Sequence, residues 1–262
     1  MPFVLIRGTY FPAIGEPDGD SVRFAADDIS LWDRLDGHVD DPGTNDTLQL
    51  RFEGIDALEK TAIQPLATEA RDSMLDLVGS SPGKEPSRGY VLSRAAESHG
   101  RPIVFAFAGD PPEDDGANVF LDAARLRESV NFKQTQAGFA YPLYYNTLFR
   151  QLRETLNEAV DDARANQRGY WPTDMTQTGV TVSQRSQLVS LAPIWPKLWR
   201  RLEEFLRSRM GLDGFLTFVR NTGERADDLT TFEQHSLDNF FEVSGNTVRM
   251  NIDPRNLRVV SR

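Results

Sequence analysis

The order of the predicted elements favours a mainly β fold with packed helices: a five-stranded Greek-key barrel of the OB type, followed by a C-terminal α+β extension. Two observations predict this fold class. Short strands are expected at residues 3–11, 18–24, 48–52, 90–92 and 103–108, and a helix at residues 65–78 follows the third of them. A small barrel closes such strands on themselves, so that no sheet edge stays exposed.

The first two strands are separated by a turn. Residues 3–11 alternate loosely in hydrophobicity and carry Val4 and Ile6. The second strand is expected to begin near Asp20, directly after a glycine that permits a tight turn. Residues 25–47 are rich in Asp and Gly and are interpreted as an inserted loop with one apolar helical turn.

The third strand ends in charged residues that suit phosphate chemistry. Residues 48–52 alternate as in a half-buried strand, and Ile55 then falls on the opposite parity. A β-bulge at Gly54 would account for this slip. It would also turn Arg51 and Asp56 to the same side of the sheet.

Amphipathic spacing predicts helices after the third and fifth strands. Pro65 suits the first turn of one helix, and Gly79 ends it. Another is expected at about residues 148–163, with apolar residues at steps of three and four. Residues 122–137 look mostly helical, and residues 119–121 are predicted as a short edge strand.

The pattern changes after residue 172. Residues 173–185 are polar and without periodicity, which indicates a linker. We therefore expect a barrel domain at residues 1–172 and a C-terminal extension of unknown function at residues 186–262.

The clearest element of the extension is a helix at residues 196–210. Its Trp and Leu face is expected to pack on the barrel or on a partner, while its arginines face solvent, substrate phosphates or acidic loops. Residues 215–219 and 248–252 are predicted as strands.

Composition excludes several classes of protein. The 262 residues are 26% charged and 39% apolar, which is typical of a soluble globular protein. No apolar run approaches the ~18 residues of a transmembrane helix, and the N-terminus lacks a secretory signal, so we expect a cytoplasmic protein without a membrane partner. The absence of cysteine excludes disulfides, and the presence of only three histidines argues against a zinc cluster.

The acidic charge is concentrated in the first part of the chain. The net charge is −10, with 17 Lys and Arg residues against 28 Asp and Glu residues through Trp171, and 12 against 11 after it. This distribution argues against a broad cationic surface for nucleic acid. Carboxylates in the acidic part are candidates for binding a metal ion, although most lie in predicted loops.

Phosphodiester hydrolysis needs the kinds of side chain found at the end of the third strand. A hard cation held by carboxylates polarises a phosphoryl oxygen. Guanidinium groups donate to the oxygens where negative charge develops, and a further carboxylate holds or deprotonates the attacking water. Arg51, Asp56 and Glu59 supply these groups within nine residues.

Three short motifs occur in a defined order along the chain. They read Asp-Gly-Asp-Ser-Val at Asp18–Val22, Arg51 followed by Asp-Ala-Leu-Glu at Asp56–Glu59, and His-Gly-Arg at His99–Arg101. Together with the helix at residues 65–78, they resemble the staphylococcal nuclease-like (thermonuclease) family over about residues 3–172.

The resemblance implies a calcium-dependent nuclease on an OB barrel, a hydrolase that cuts DNA or RNA with little sequence preference. In that family two arginines clamp the phosphate, and a glutamate orients or deprotonates the attacking water. The matching positions are Asp20, Asp56 and the carbonyl of Ala57 for Ca²⁺; Arg51, Glu59 and Arg101 for catalysis; and Tyr144 and His99 for substrate binding.

Two departures from the family pattern affect these expectations. Ala57 and Leu58 stand where the family has Thr-Pro, so the metal loop is expected to hold its ion less tightly. Ser98 and His99 replace a basic residue and a tyrosine that would touch substrate phosphate. We interpret His99 as a loop residue near the substrate rather than a catalytic base.

A second interpretation is a catalytically inactive OB-fold module that binds nucleic acid or protein. The acidic surface, the changed metal loop and the unmatched C-terminal region favour it. Retention of all five ionic positions counts against it. The sequence leaves open DNA or RNA preference, endo or exo cleavage, and the oligomeric state.

Overall fold

The computed structural model describes residues 2–80 and 85–260. The fold is mixed α/β, with a nearly closed, barrel-like sheet and several helices. The strands of the N-terminal part are β1 Phe3–Tyr10, β2 Arg23–Ala26, β3 Thr47–Gln49, β4 Arg51–Phe52, β5 Ile55–Asp56, β6 Ser87–Ala96, β7 Pro102–Ala108 and β8 Asn118–Val119.

One chain segment nearly closes the sheet. The hydrogen-bonded order is β3-β2-β1-β6-β7-β4. Strand β3 runs antiparallel to β2, and β4, the next strand along the chain, runs parallel to β7 at the other end of that order. Residues 47–52 therefore pair at both ends of the sheet. The side chains inside form the first hydrophobic core, which includes Leu5, Ile6, Phe24, Leu50, Phe52, Leu92 and Phe105.

The third strand does not continue through a bulge as expected. Glu53 and Gly54 form a turn, and β5 leaves the barrel sheet to pair with residues 141–142. Gly54 has a φ of +77°, and a Cβ there would lie 2.6 Å from the Leu156 Cδ1 atom. The positive φ and the close helix make glycine necessary at this turn.

The helices predicted from amphipathic spacing are confirmed. They are α1 Leu66–Leu77, α2 Ala123–Glu128, α3 Val130–Gln136, α4 Arg150–Ala165 and α5 Pro196–Leu206. The strand predicted at residues 215–219 is wrong, because α6 Phe215–Asn221 is a helix. Its buried Phe215 and Val219 are four residues apart, on one helical face. The inserted loop contains 3₁₀ turns at Ile29–Arg34 and Thr44–Asp46.

The remaining strands join the C-terminal region to the barrel. They are β9 Tyr141–Pro142, β10 Tyr144–Tyr145, β11 Val180–Thr181, β12 Arg225–Asp228, β13 Glu233–Ser236, β14 Phe241–Ser244, β15 Thr247–Met250 and β16 Leu257–Val259. Seven of them form two small sheets, ordered β10-β16-β12-β13 and β11-β15-β14, and β9 pairs with β5. Strand β10 belongs to the N-terminal part, and β11 lies in the predicted linker, so both segments pair with C-terminal strands.

A second hydrophobic core is shared by the two regions. Helix α5 contributes Leu198 and Leu202 to it, and the N-terminal part contributes Leu58 and Tyr170. Trp195, directly before α5, is 1% exposed, and its indole N–H donates to the Pro142 carbonyl at 3.0 Å. The C-terminal region therefore packs against the barrel as part of one folded body. Within the described residues, none of the helices is long and apolar enough to cross a membrane.

Truncation of Trp195 should destabilise both regions together. Trp195→Ala removes a fully buried indole from the shared core, so the free energy of unfolding should fall by about 3–5 kcal/mol. Urea unfolding followed by circular dichroism measures this change. Val189→Ala, at a side chain that is 57% exposed, is the control and should change stability by no more than about 0.5 kcal/mol. If the two regions of Trp195→Ala unfolded in separate transitions, and the barrel's unfolding midpoint stayed at the wild-type value, the two regions would not share a core.

Candidate functional site

A cavity of about 920 Å³ lies where the barrel meets α5. The turn before β2, the segment after β3, the β6–β7 loop, β10 and α5 line it. Of the residues proposed from sequence, those that line it are Asp20, Arg51, Asp56, Ala57, Glu59, His99 and Arg101.

Backbone pairing brings Asp20 close to the end of the third strand. Asp20 lies in a turn closed by a bridge between Asp18 and Ser21, so β2 begins later than the sequence predicted. The Phe52 N–H donates to the Asp20 carbonyl at 3.0 Å. The Ala57 N–H donates to the Asp20 Oδ2 atom at 3.3 Å. These bonds hold Asp20 beside the Asp56–Ala57 segment.

The carboxylates around Asp20 repel one another. Burial raises the pKa of Asp20 well above its usual range, and the nearby carboxylates of Asp18 and Asp56 raise it further. Asp56 itself is 2% exposed. The acidic side of the cavity therefore favours a positive charge.

Arg200, from the middle of α5, supplies positive charge to this acidic side. Its Nη2 and Nη1 atoms donate to both carboxylate oxygens of Asp56, at 2.8 and 3.0 Å. The Nη1 atom also donates to Glu59 Oε1 at 2.8 Å. Burial opposes the charged form, but Asp56 and Glu59 raise the pKa of Arg200 well above its usual range. From the sequence, the arginines of this helix were expected to face solvent, substrate phosphates or acidic loops, and no individual partner for Arg200 was predicted.

Glu59 has the properties of a weak base, and its carboxylate is positioned by the hydrogen bond from Arg200. Burial raises the pKa of its carboxyl group, and the charge and hydrogen bond of Arg200 partly offset this effect. The side chain is 31% exposed, so water can reach it. Glu59 therefore accepts a proton more readily than a solvated carboxylate would.

The two proposed phosphate-binding arginines share one carboxylate. The Nε atom of Arg101 donates to Glu97 Oε1, and the Nε atom of Arg51 lies 3.9 Å from Glu97 Oε2. His99 lies 4.0 Å from Glu97 but is 84% exposed, which fits a loop residue. Glu97 was not among the site residues predicted from the sequence. Its position four residues before Arg101 was the available signal.

The structure places Tyr145, rather than Tyr144, on the cavity. Tyr144 is fully buried, and its hydroxyl donates to Asn157 Oδ1 at 2.7 Å. Tyr145 lines the cavity, and the Arg51 guanidinium lies 5.7 Å from its ring centroid. Successive residues of a strand point to opposite faces, so a shift of one position exchanges core and cavity.

The donors available for a metal ion are engaged by the protein itself. Within residues 2–80 and 85–260, no three acidic or histidine side chains are grouped so that they could hold a metal ion. Both oxygens of Asp56 bind Arg200. The oxygen donors suit a hard cation chemically, and burial disfavours the charged form of Asp20 when no cation is present. Asp56 can therefore offer its oxygens to a cation only when Arg200 leaves it.

Glu53 is another carboxyl group that lines this cavity. Burial raises its pKa to about 7, although the charges of Arg51 and Arg94 lower it in part. Arg51 lies between the apolar residues Leu50 and Phe52, and Glu53 follows directly after Phe52. A carboxyl group that titrates near neutral pH can change charge under ordinary conditions.

No protein-family model matches the chain, and no curated protein is significantly similar to it.

Glu53→Gln should remove a pH dependence of stability. The carboxyl group titrates near pH 4.5 in the unfolded chain and near pH 7 in the folded protein. The folded state therefore holds the extra proton between these values, and wild-type stability falls as the pH rises through them. At pH 8 the variant should be more stable than wild type by at most roughly 3 kcal/mol, less where solvent screens the carboxylate.

Urea unfolding at a series of pH values measures this difference. At low pH the two chains should be nearly equal, because glutamine resembles protonated glutamate in shape and charge. Parallel stability curves for the two chains would show that Glu53 titrates normally.

Proposed function

We propose that the chain is a calcium-dependent phosphodiesterase that hydrolyses DNA or RNA. One observation carries the proposal: Asp20, Arg51, Asp56, Glu59 and Arg101 all line the same cavity. Separate surface ion pairs would have no reason to converge in this way. The set combines oxygen donors for a hard cation, guanidinium groups for phosphate and a carboxylate for water.

The barrel is proposed to be of the five-stranded OB type. In support, residues 47–52 pair with β2 on one side and with β7 on the other, and β1 pairs with both β2 and β6. This order is compatible with a closed Greek-key barrel. The cavity opens at the end of the third strand, where loops can supply functional groups without disturbing the core.

Calcium is the proposed cofactor, held by Asp20 and Asp56 with the carbonyl of Ala57. A bound Ca²⁺ would neutralise charge on the phosphoryl oxygens and polarise the phosphorus. Arg200 competes with the cation for Asp56. Its departure from Asp56 also frees Glu59, because one guanidinium binds both carboxylates.

The side chains of the cavity can perform the rest of the reaction. Arg51 and Arg101 bind the equatorial phosphate oxygens after leaving Glu97. Glu59 accepts a proton from water, whose oxygen forms a bond to phosphorus. The bond from phosphorus to one ester oxygen then breaks, and that oxygen takes a proton from solvent. The products are a phosphomonoester and an alcohol.

A second candidate function is a catalytically inactive nucleic-acid- or protein-binding module. The observation that favours it is the internal pairing of the catalytic charges. Arg200 binds Asp56 and Glu59, and Glu97 binds Arg101. If these pairs never open, the cavity can bind neither cation nor phosphate.

Cleavage of single-stranded DNA should separate the two functions. The full chain should cut in the presence of calcium and stop when a calcium chelator is added. Glu59→Ala should lower the rate by roughly 10²–10⁴-fold through loss of the base. Arg101→Ala should lower it by roughly 10²–10³-fold through loss of a donor to the developing charge.

Gel electrophoresis of end-labelled DNA measures these rates. Arg150→Ala, at a side chain that is 81% exposed, is the matched arginine control and should cut at the wild-type rate. Equal cutting with calcium and with chelator, or no cutting in either, would contradict the proposed calcium-dependent activity.

Arg200→Met should strengthen calcium binding. Methionine keeps much of the apolar stem and removes the guanidinium that occupies Asp56. The dissociation constant for calcium should fall by at least about tenfold, since a hydrogen bond to a charged group contributes ~1.5–3 kcal/mol. In calcium-free buffer the variant's Tm should fall, because Asp56 is left buried without a partner. Calcium should then raise its Tm more than that of wild type.

Isothermal titration calorimetry and thermal unfolding give both readouts without an activity assay. Arg207→Met, at a 64% exposed arginine just after α5, is the control and should leave calcium binding unchanged. Unchanged or weaker calcium binding in Arg200→Met would show that Arg200 and calcium do not compete.

A further inference from the structure

The cavity contains an aromatic wall that the proposed chemistry does not use. Phe3, Phe105 and Phe149 line the cavity and form this aromatic wall. The Phe3 ring lies 5.7 Å from that of Phe105 and 6.3 Å from that of Phe149, both edge to face. Phe149 is 37% exposed, whereas Phe3 and Phe105 are 7% and 0% exposed, so Phe149 supplies the accessible ring and the other two support it. A cation and a phosphate have no need of such a surface.

Arg94 is held against the aromatic wall. Its guanidinium carbon lies 4.5 Å from the Phe149 ring centroid and 5.5 Å from that of Phe3. Ser93 and Ala95 pair with consecutive residues of β7, so Arg94 is the extra residue of a β-bulge. A bulge re-aims the side chain of its extra residue. Here it turns Arg94 into the cavity.

Glu53 reaches the cavity from the other side of β7. Its N–H donates to the Val104 carbonyl at 2.8 Å, so it continues the pairing of β4 with β7. Positions two strands apart are separated by roughly 10 Å. The charge of Arg94 lowers the pKa of Glu53, so the two groups are close enough to interact electrostatically.

Arg94 and Glu53 differ from most other charged groups that line the cavity. The paired groups there are Arg51 and Arg101 with Glu97, Arg200 with Asp56 and Glu59, and Lys197 and Arg201 with Glu224. Across the part of the chain that the structure describes, neither Arg94 nor Glu53 forms an ion pair. A guanidinium and a carboxyl group therefore face one cavity beside an aromatic wall, and neither has an ionic partner among the described residues.

The aromatic wall, the guanidinium of Arg94 and the carboxyl group of Glu53 would together suit a planar, uncharged ring. Such a ring must carry both hydrogen-bond donors and acceptors on its edge. Nucleobases have this chemistry: they stack on aromatic rings and present donors and acceptors in the ring plane. Guanine presents the O6 acceptor beside the N1–H and N2–H donors. The acceptor suits a guanidinium, and the two parallel donors suit a carboxylate. Adenine, cytosine and uracil lack this combination.

We propose that Glu53, Arg94 and the aromatic wall form a base-recognition subsite that prefers guanine. The inference rests on the proposed phosphodiesterase function, because the neighbouring phosphate site ties the base to a nucleotide. Arg51 lies in β4, and Glu53 follows two residues later at the turn that ends this strand, so their Cα atoms are at most about 7 Å apart. A phosphate on Arg51 thus places its attached base within reach of the subsite.

Binding of nucleoside monophosphates to the full chain tests the subsite. By isothermal titration calorimetry, GMP should bind roughly tenfold more tightly than AMP. Inosine monophosphate keeps O6 and N1–H but lacks the 2-amino group, so its affinity should lie between the two. Equal affinity for GMP and AMP would overturn the proposal. Equal affinity for GMP and inosine monophosphate would overturn the role of the carboxylate as a double acceptor.

Variants assign the preference to residues. Glu53→Gln should weaken GMP binding and leave AMP binding unchanged, so that the ratio approaches one. Arg94→Met should also lower the ratio, through loss of the donor to O6. Glu242→Gln, at a 49% exposed glutamate on the β14–β15 hairpin, is the control and should keep the wild-type ratio. A wild-type ratio in Glu53→Gln would overturn the assignment.

Mapping of cleavage positions in single-stranded DNA separates this inference from the proposed function. Cutting next to guanine supports both. Cutting without base preference supports the phosphodiesterase and overturns the subsite. Selective GMP binding without any cutting supports the subsite and leaves the inactive binding module as the function.

Discussion

The contact of Arg200 with Asp56 and Glu59 is the interaction on which the arrangement of the cavity depends. Asp56 is almost fully buried at the end of the third strand and needs a positive partner. Helix α5 supplies that partner because its apolar face is held in the core shared with the barrel. The C-terminal region is therefore both a structural support for the barrel and one wall of the candidate site.

Around the candidate catalytic residues, charge is balanced within the protein at two places. The acidic side is neutralised by Arg200, and the basic side is neutralised by Glu97. A divalent cation and a phosphate diester would replace these internal partners with external ones of the same sign. If the proposed function holds, this balance would let an acidic chain, with a net charge of −10, bind an anionic substrate. As a consequence, the cation must compete with Arg200, and the phosphate must compete with Glu97.

The proposed base subsite gives the cavity a second kind of selectivity. In the proposed function, the charges of Arg51 and Arg101 would recognise features common to every phosphodiester, whereas Glu53 and Arg94 would face an edge that differs between bases. Both residues owe their position to local irregularities beside β7: a turn at Gly54 and a bulge at Arg94. Such irregularities redirect side chains without altering the surrounding sheet, so chemistry can vary while the core is kept.

Local pattern was enough to predict the strands of the barrel sheet and the amphipathic helices, because periodicities of 2 and 3.6 are written in neighbouring residues. Most of the short strands after residue 140 were not predicted. The set of Asp20, Arg51, Asp56, Glu59 and Arg101 came from the order of three motifs that resemble a known family, not from periodicity. Local pattern failed at residues 215–219, where a short apolar run suits either element. Tertiary structure alone decided that Arg200, 144 residues from Asp56, is its partner, and that Tyr145 faces the cavity. Each depends on how distant elements pack and on single-residue strand register, which local sequence does not encode.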